Sequence, residues 1–85
     1  MKIIMTKHVM YDKIPLLERK GFRITLHQIR KTVNDPDYID GESDAPNIIA
    51  SKDIDNKHIL RVVYKVESAI IKIITVYPAK KGRYH

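Results

Sequence analysis

Residues 57–84, KHILRVVYKVESAIIKIITVYPAKKGRY, constrain the fold more than any other stretch of the chain. Two runs rich in β-branched residues flank Ser68-Ala69, so the segment reads as two strands joined by a tight turn. In the first run Leu60, Val62, Tyr64 and Val66 alternate with Arg61, Val63 and Lys65, which predicts one core-facing side. The second run, Ile70 to Tyr77, is apolar nearly throughout and suits a strand covered on both faces. Setting Val66 opposite Ile71 brings Tyr64 to Ile73, Val62 to Thr75 and Leu60 to Tyr77, all facing the core. The same register places Lys65 across from Lys72, with Arg61 further along that side. Like charges across a ladder repel, so solvent or an anion is expected to offset them. Pro78 is expected to end the strand. A basic tail with Lys80, Lys81, Arg83 and Tyr84 follows.

The rest of the chain supplies a short strand, two helices and one further strand. Lys2 to Met5 reads as strand, ended by Thr6. Pro15 is tolerated only in a first helical turn, so Asp12 is the expected N-cap of a helix through Lys20, with Gly21 as its left-handed stop. Thr25-Leu26-His27-Gln28 has the form of a capping box, and Ile24 can staple onto Ile29. Leu26, Ile29 and Val33 form one apolar stripe, and Asn34-Asp35-Pro36 ends that helix. Asp37 to Asn47 is acidic and turn-rich, Ile48 to Lys52 a strand, and Asp53 to Asn56 a turn. The expected fold is α+β, ordered β-α-α-β-β-β, with two helices packed on one face of a small antiparallel sheet.

Eighty-five residues make one domain with a modest core. Cysteine is absent, which removes disulfides, thiolate zinc sites and a cysteine nucleophile. No apolar run has the ~20 residues of a membrane span and no signal peptide is visible, so no membrane partner and a cytoplasmic location are expected. The net charge of +6 is unevenly spread. Residues 1–34 hold eight Lys/Arg against two acids, 35–55 seven acids against Lys52, and 56–85 seven Lys/Arg against one acid. A basic body with one acidic loop fits a polyanion binder whose loop points away from the polyanion. His8, His27, His58 and His85 match no metal-ligand spacing, and the acidic loop lacks a calcium-loop frame, so neither a metal nor a cofactor is expected. The glycines at 21, 41 and 82 are isolated and make no phosphate loop. Of the tyrosines, Tyr64 and Tyr77 are expected to pack inward, which leaves Tyr84 as the one for base stacking.

Several segments together resemble the RelE/ParE toxin superfamily, and within it the small BrnT-like branch and its prokaryotic cousins. They are Lys7-His8, Leu17-Glu18-Arg19-Lys20-Gly21-Phe22, Ile29 to Val33, Asn34-Asp35-Pro36-Asp37, Leu60-Arg61-Val62-Val63-Tyr64 and Ile74-Thr75-Val76-Tyr77-Pro78. The likeness covers nearly the whole chain. It implies a toxin fold, often a metal-independent endoribonuclease, with RNA as substrate and a cognate antitoxin as protein partner. Such chemistry needs a proton taken from the ribose 2′-hydroxyl, a stabilised phosphorane and a protonated 5′ leaving oxygen. On that resemblance Arg61 and Arg83 are candidate phosphate clamps, since a guanidinium donates in pairs and stays charged. Lys80, Lys81 and Tyr84, with His8, are the candidate proton movers, and Lys65, Lys72 and Lys81 the nucleic-acid contacts. A basic domain of the same fold that binds nucleic acid or a protein without cutting is the alternative. The oligomeric state stays open, a homodimer included.

Overall fold

The computed structural model describes residues 2–82. Strand β1 (Lys2–Met5) runs into a π-helical segment (His8–Lys13) that continues as helix α1 (Ile14–Arg19). Helix α2 (Leu26–Asn34) follows, then strands β2 (Tyr38–Asp40), β3 (Ile48–Asp53), β4 (His58–Glu67) and β5 (Ile70–Lys80). The strands form one sheet in the order β1-β5-β4-β3-β2. The result is a small α+β domain with helices on one face, but its sheet is mixed and five-stranded. The antiparallel expectation fails at β1, which pairs parallel to β5, and β2 is an additional edge strand inside the acidic stretch. Among the described residues no helix is long and apolar enough to cross a membrane.

The first helix starts earlier than Asp12, with Lys7 as its N-cap. Pro15 has no N–H to give the Tyr11 carbonyl and its ring crowds that oxygen. The wide turn ahead of it, closed by the Ile14 N–H on the Val9 carbonyl, opens the space needed. Gly21 ends α1 at φ +94°. Its N–H reaches the Glu18 carbonyl at 3.0 Å and the Phe22 N–H the Leu17 carbonyl at 2.8 Å, which together satisfy the last-turn acceptors. At α2 the capping box forms as expected: the Gln28 N–H donates to Thr25 Oγ1 at 3.1 Å and the Thr25 N–H to Gln28 Oε1 at 2.8 Å.

Val9, Leu17, Ile24, Ile29 and Val33 from the helical layer pack on Ala50, Leu60, Val62, Tyr64, Ile71, Ile73 and Val76 of the sheet. The hairpin turn is two residues long, with φ of 49° at Ser68 and 63° at Ala69. Two positive φ values match the right-handed twist of the strands, though neither residue is a glycine. Pairing proceeds as expected through Val66↔Ile71, Lys65↔Lys72 and Tyr64↔Ile73. The next pair is Val63↔Thr75, so Ile74 is an extra, unpaired residue. This bulge shifts everything beyond it by one place, which turns each later β5 side chain to the opposite face. Tyr77 therefore stands across from Arg61, and Val76 takes the core place beside Val62. β5 also continues through Pro78 to Lys80 rather than stopping. β1 pairs only as far as Ile73, so the side of β5 away from β4 needs no ladder donor at Pro78.

Two stability measurements check these local arguments. Thr25→Ala should cost about 1 kcal/mol in chemical denaturation through loss of the capping acceptor. Replacing Ser68-Ala69 by Asn-Gly should raise stability by roughly 0.5–1 kcal/mol, because glycine has no Cβ to clash at positive φ and asparagine enters that region at lower cost than serine.

Candidate functional site: the sheet face away from the helices

Alternation along β4 puts Arg61, Val63 and Lys65 on the face that the helices leave. The neighbouring strands complete it in rungs: Tyr38, Ser51, Arg61 and Tyr77 lie across four strands, and Asp40, Ile49, Val63 and Thr75 form the next. Beyond the bulge come Lys65 and Lys72, then Glu67 and Ile70, with Lys2 beside Ile70 on β1. Ile49, Ile59 and Val63 are buried here, outside the helix-side core. The sheet thus has apolar cover on both sides of its centre.

Arg61 is the central residue of this face and is only 3 % exposed. Its Nε donates to Tyr77 Oη at 2.9 Å and its Nη1 to Ser51 Oγ at 3.3 Å, and its guanidinium carbon lies 5.7 Å from the Tyr77 ring centroid. A buried cation is costly unless its donors are used, and these contacts use two of them. Arg61, the expected phosphate clamp, is enclosed: bulge and rung together fold Tyr77 against it. Tyr77 Oη accepts from Arg61, so its own hydrogen is left to donate elsewhere.

His8 reaches the same face from the start of the π-helical segment, where its Nε2 lies 3.4 Å from Thr75 Oγ1. Its Nδ1 is 3.7 Å from an Asp12 carboxylate oxygen, an ion pair when the ring is protonated. The parallel β1–β5 pairing makes this contact possible, because it delivers the residues after Met5 beside Thr75. Lys65 and Lys72 do face each other, but they are not uncompensated. Lys65 Nζ sits 2.7 Å from Glu67 Oε1, and Lys65 first, then Lys72, holds the Glu67 carboxyl below its usual range.

Of the tail candidates only Lys80 and Lys81 are described. Lys80 pairs opposite His58, whose ring meets Phe22 at 5.1 Å, so Lys80 belongs to the helix side. Lys81 is tied to Asp53 at 2.8 Å. Arg83 and Tyr84 lie outside the described residues. The structure therefore brings together His8, Arg61, Lys65 and Lys72, and adds Tyr77, Thr75, Ser51 and Tyr38, which sequence reasoning missed. Tyr77 was missed because nothing in the uniformly apolar β5 marks where an extra residue falls.

The acidic stretch begins on this face, where Asp40 shares a rung with Ile49, Val63 and Thr75. The Asp40 carboxylate is held down to about 2 by the Ser43 hydroxyl, then by the Ser43 and Glu42 backbone N–H groups, with the Arg61 charge adding. Lys52, by contrast, sits within 3.5 Å of both Asp35 and Asp37 on the helix side. A cleft of about 180 Å³ also lies there, lined by His27, Lys31, Lys52 and Leu60 among others. It is smaller than the pockets that enclose drug-sized ligands. Among the described residues no group of three or more His, Asp or Glu could hold a metal ion. No family model, curated protein or solved structure matches this chain.

Asp40 gives a pH test. Its folded value lies below the ordinary 3.8, so its contribution to stability is complete above that pH and is lost as pH falls toward 2. The difference in urea midpoint between the wild-type chain and Asp40→Asn should be largest near neutrality and close over that interval.

Proposed function

We propose that this chain is a toxin domain of the RelE/ParE kind that binds RNA on the sheet face opposite its helices and cuts it without a metal. The observation that carries the reading is the rung holding Arg61 and Tyr77, with His8 and Thr75 along one flank and Lys65 and Lys72 beyond. These are the residue types that phosphodiester transesterification requires. The 2′-oxygen would attack the adjacent phosphorus and the bond to the 5′-oxygen would break, leaving a 2′,3′-cyclic phosphate and a 5′-hydroxyl. In this reading His8, exposed and hydrogen-bonded on one ring nitrogen, takes the 2′-hydroxyl proton, and water protonates the departing 5′-oxygen. The Tyr77 hydroxyl donates to a phosphate oxygen, and Lys72 supplies positive charge. Arg61 acts as a positioning residue by fixing the Tyr77 hydroxyl. A cognate antitoxin would then inhibit by covering this face.

The burial of Arg61 favours a second reading, in which the same face binds RNA without cutting it. A guanidinium so enclosed touches no phosphate unless its neighbours move. One experiment separates the two: purified chain is incubated with a labelled RNA in excess EDTA, with binding and cleavage followed together. The first reading expects cleavage that His8→Ala lowers roughly a hundredfold or more while affinity holds. It also expects Tyr77→Phe to slow cleavage, and Arg30→Ala with Lys31→Ala on α2 to change little. Salt-sensitive binding with no cleavage establishes the second reading, and absence of binding at low salt removes both.

A further inference from the structure

The cleft of about 180 Å³ on the helix side lies between α2 and the paired strands β3 and β4. Leu60, 2 % exposed, and the half-buried Ile54 give it an apolar base. Most of its polar lining is already engaged. The capping box draws the Gln28 side chain back to the Thr25 N–H at 2.8 Å, and the Thr32 hydroxyl donates to the Gln28 carbonyl at 2.8 Å. Lys52 Nζ donates to the Asp35 carbonyl at 2.8 Å and lies beside the Asp35 and Asp37 carboxylates, while Asp53 is tied to Lys81 at 2.8 Å. His27 and Lys31 differ. They stand four residues apart on α2 and so share a face, both are exposed, and no described residue pairs with either side chain.

An apolar base with a few convergent polar groups is the usual make-up of a small-molecule site. A cavity of about 150 Å³ is enough to take up benzene, so this base suits one phenyl ring or a branched alkyl chain. At the α2 wall a carboxylate would accept from the Lys31 ammonium and from a His27 ring nitrogen, and such charge-assisted bonds fix orientation as well as adding affinity. More heavily charged anions fit worse. Asp53 lies on the strand side, and Asp35 and Asp37 stand behind Lys52, so a polyphosphate would meet carboxylates at its far end. We propose that this cleft binds a small monocarboxylate with an aromatic or branched apolar body, the body on Leu60 and Ile54 and the carboxylate between His27 and Lys31. The site lies across the sheet from the RNA face and does not depend on that reading.

The test is an amide NMR titration of the folded chain with hydrocinnamate, with its neutral amide hydrocinnamamide and inorganic phosphate as comparison probes. Hydrocinnamate is expected to give saturable shifts at the amides of His27, Lys31, Ile54 and Leu60. Hydrocinnamamide should bind roughly three- to tenfold more weakly, the worth of a charge-assisted contact at an exposed site. Lys31→Met keeps the stem without the charge and should remove most of that preference. Lys20→Ala, an equal loss of charge outside the cleft, should leave it intact. Shifts centred on other residues, or no saturation by about 10 mM, would overturn the proposal. So would equal binding of acid and amide, phosphate binding as tight as hydrocinnamate at the same amides, or an acid preference that responds alike to the two substitutions. The readout contains no RNA, so its outcome is separate from that of the functional reading.

Discussion

One unpaired residue, Ile74, decides the character of both sheet faces. Up to that point β4 and β5 pair in step, and Tyr64 and Ile73 contribute to the helix-side core. Past it the β5 side chains change sides, so Val76 fills the core where Thr75 would otherwise stand. The alternative register would bury a threonine hydroxyl and a tyrosine hydroxyl under the helices, each needing a partner there. It would also leave Arg61 without the phenol oxygen that now accepts from its Nε at 2.9 Å. The bulge therefore removes two polar groups from one face and satisfies a charged one on the other. Apolar burial and hydrogen bonding favour the same register, which is the condition for a uniquely specified pairing.

The net charge of +6 overstates how much of this molecule is free to attract an anion. Lys65 is matched by Glu67, Lys81 by Asp53, and Lys52 by Asp35 and Asp37. Such exposed pairs contribute little stability. Their effect is to cancel charge locally and so to sharpen contrast between regions. What survives on the sheet face is a gradient, with lysines toward β1 and a fixed carboxylate toward β2. A gradient orients a polyanion where uniform positive charge would only concentrate it.

The sequence disclosed those features that depend on local chemistry. Thr25 and Gln28 form the capping box, Gly21 takes the left-handed position, and the turn falls at Ser68-Ala69. Features that depend on relations between distant segments stayed hidden. The parallel pairing of β1 with β5 closes across nearly the whole chain, and no pattern in Lys2 to Met5 announces it. The π-helical start was obscured by Pro15, which sequence rules treat as a boundary although a widened turn accommodates it. β2 is three residues within an acidic stretch, too short to show alternation. At the candidate site His8 and the Lys65–Lys72 pair were visible, whereas Tyr77 and the burial of Arg61 both follow from a bulge that an evenly apolar strand conceals.

Arg61 couples the stability of this face to whatever the face does. Two of its donors go to hydroxyls from the flanking strands, so losing either hydroxyl removes one of the contacts that hold a buried cation. Losing Arg61 itself frees the Tyr77 ring and hydroxyl and opens a gap beside Ser51. Either change moves the platform as well as the charge. A loss of activity on replacing Arg61 is therefore weak evidence for contact with substrate, because a misplaced Tyr77 has the same result. His8 carries no such ambiguity. It is exposed, lies at the rim, and meets the sheet at Thr75 across 3.4 Å. The chemistry of the face is thus best interrogated from its edge, where a side chain can be removed without disturbing the strands beneath it.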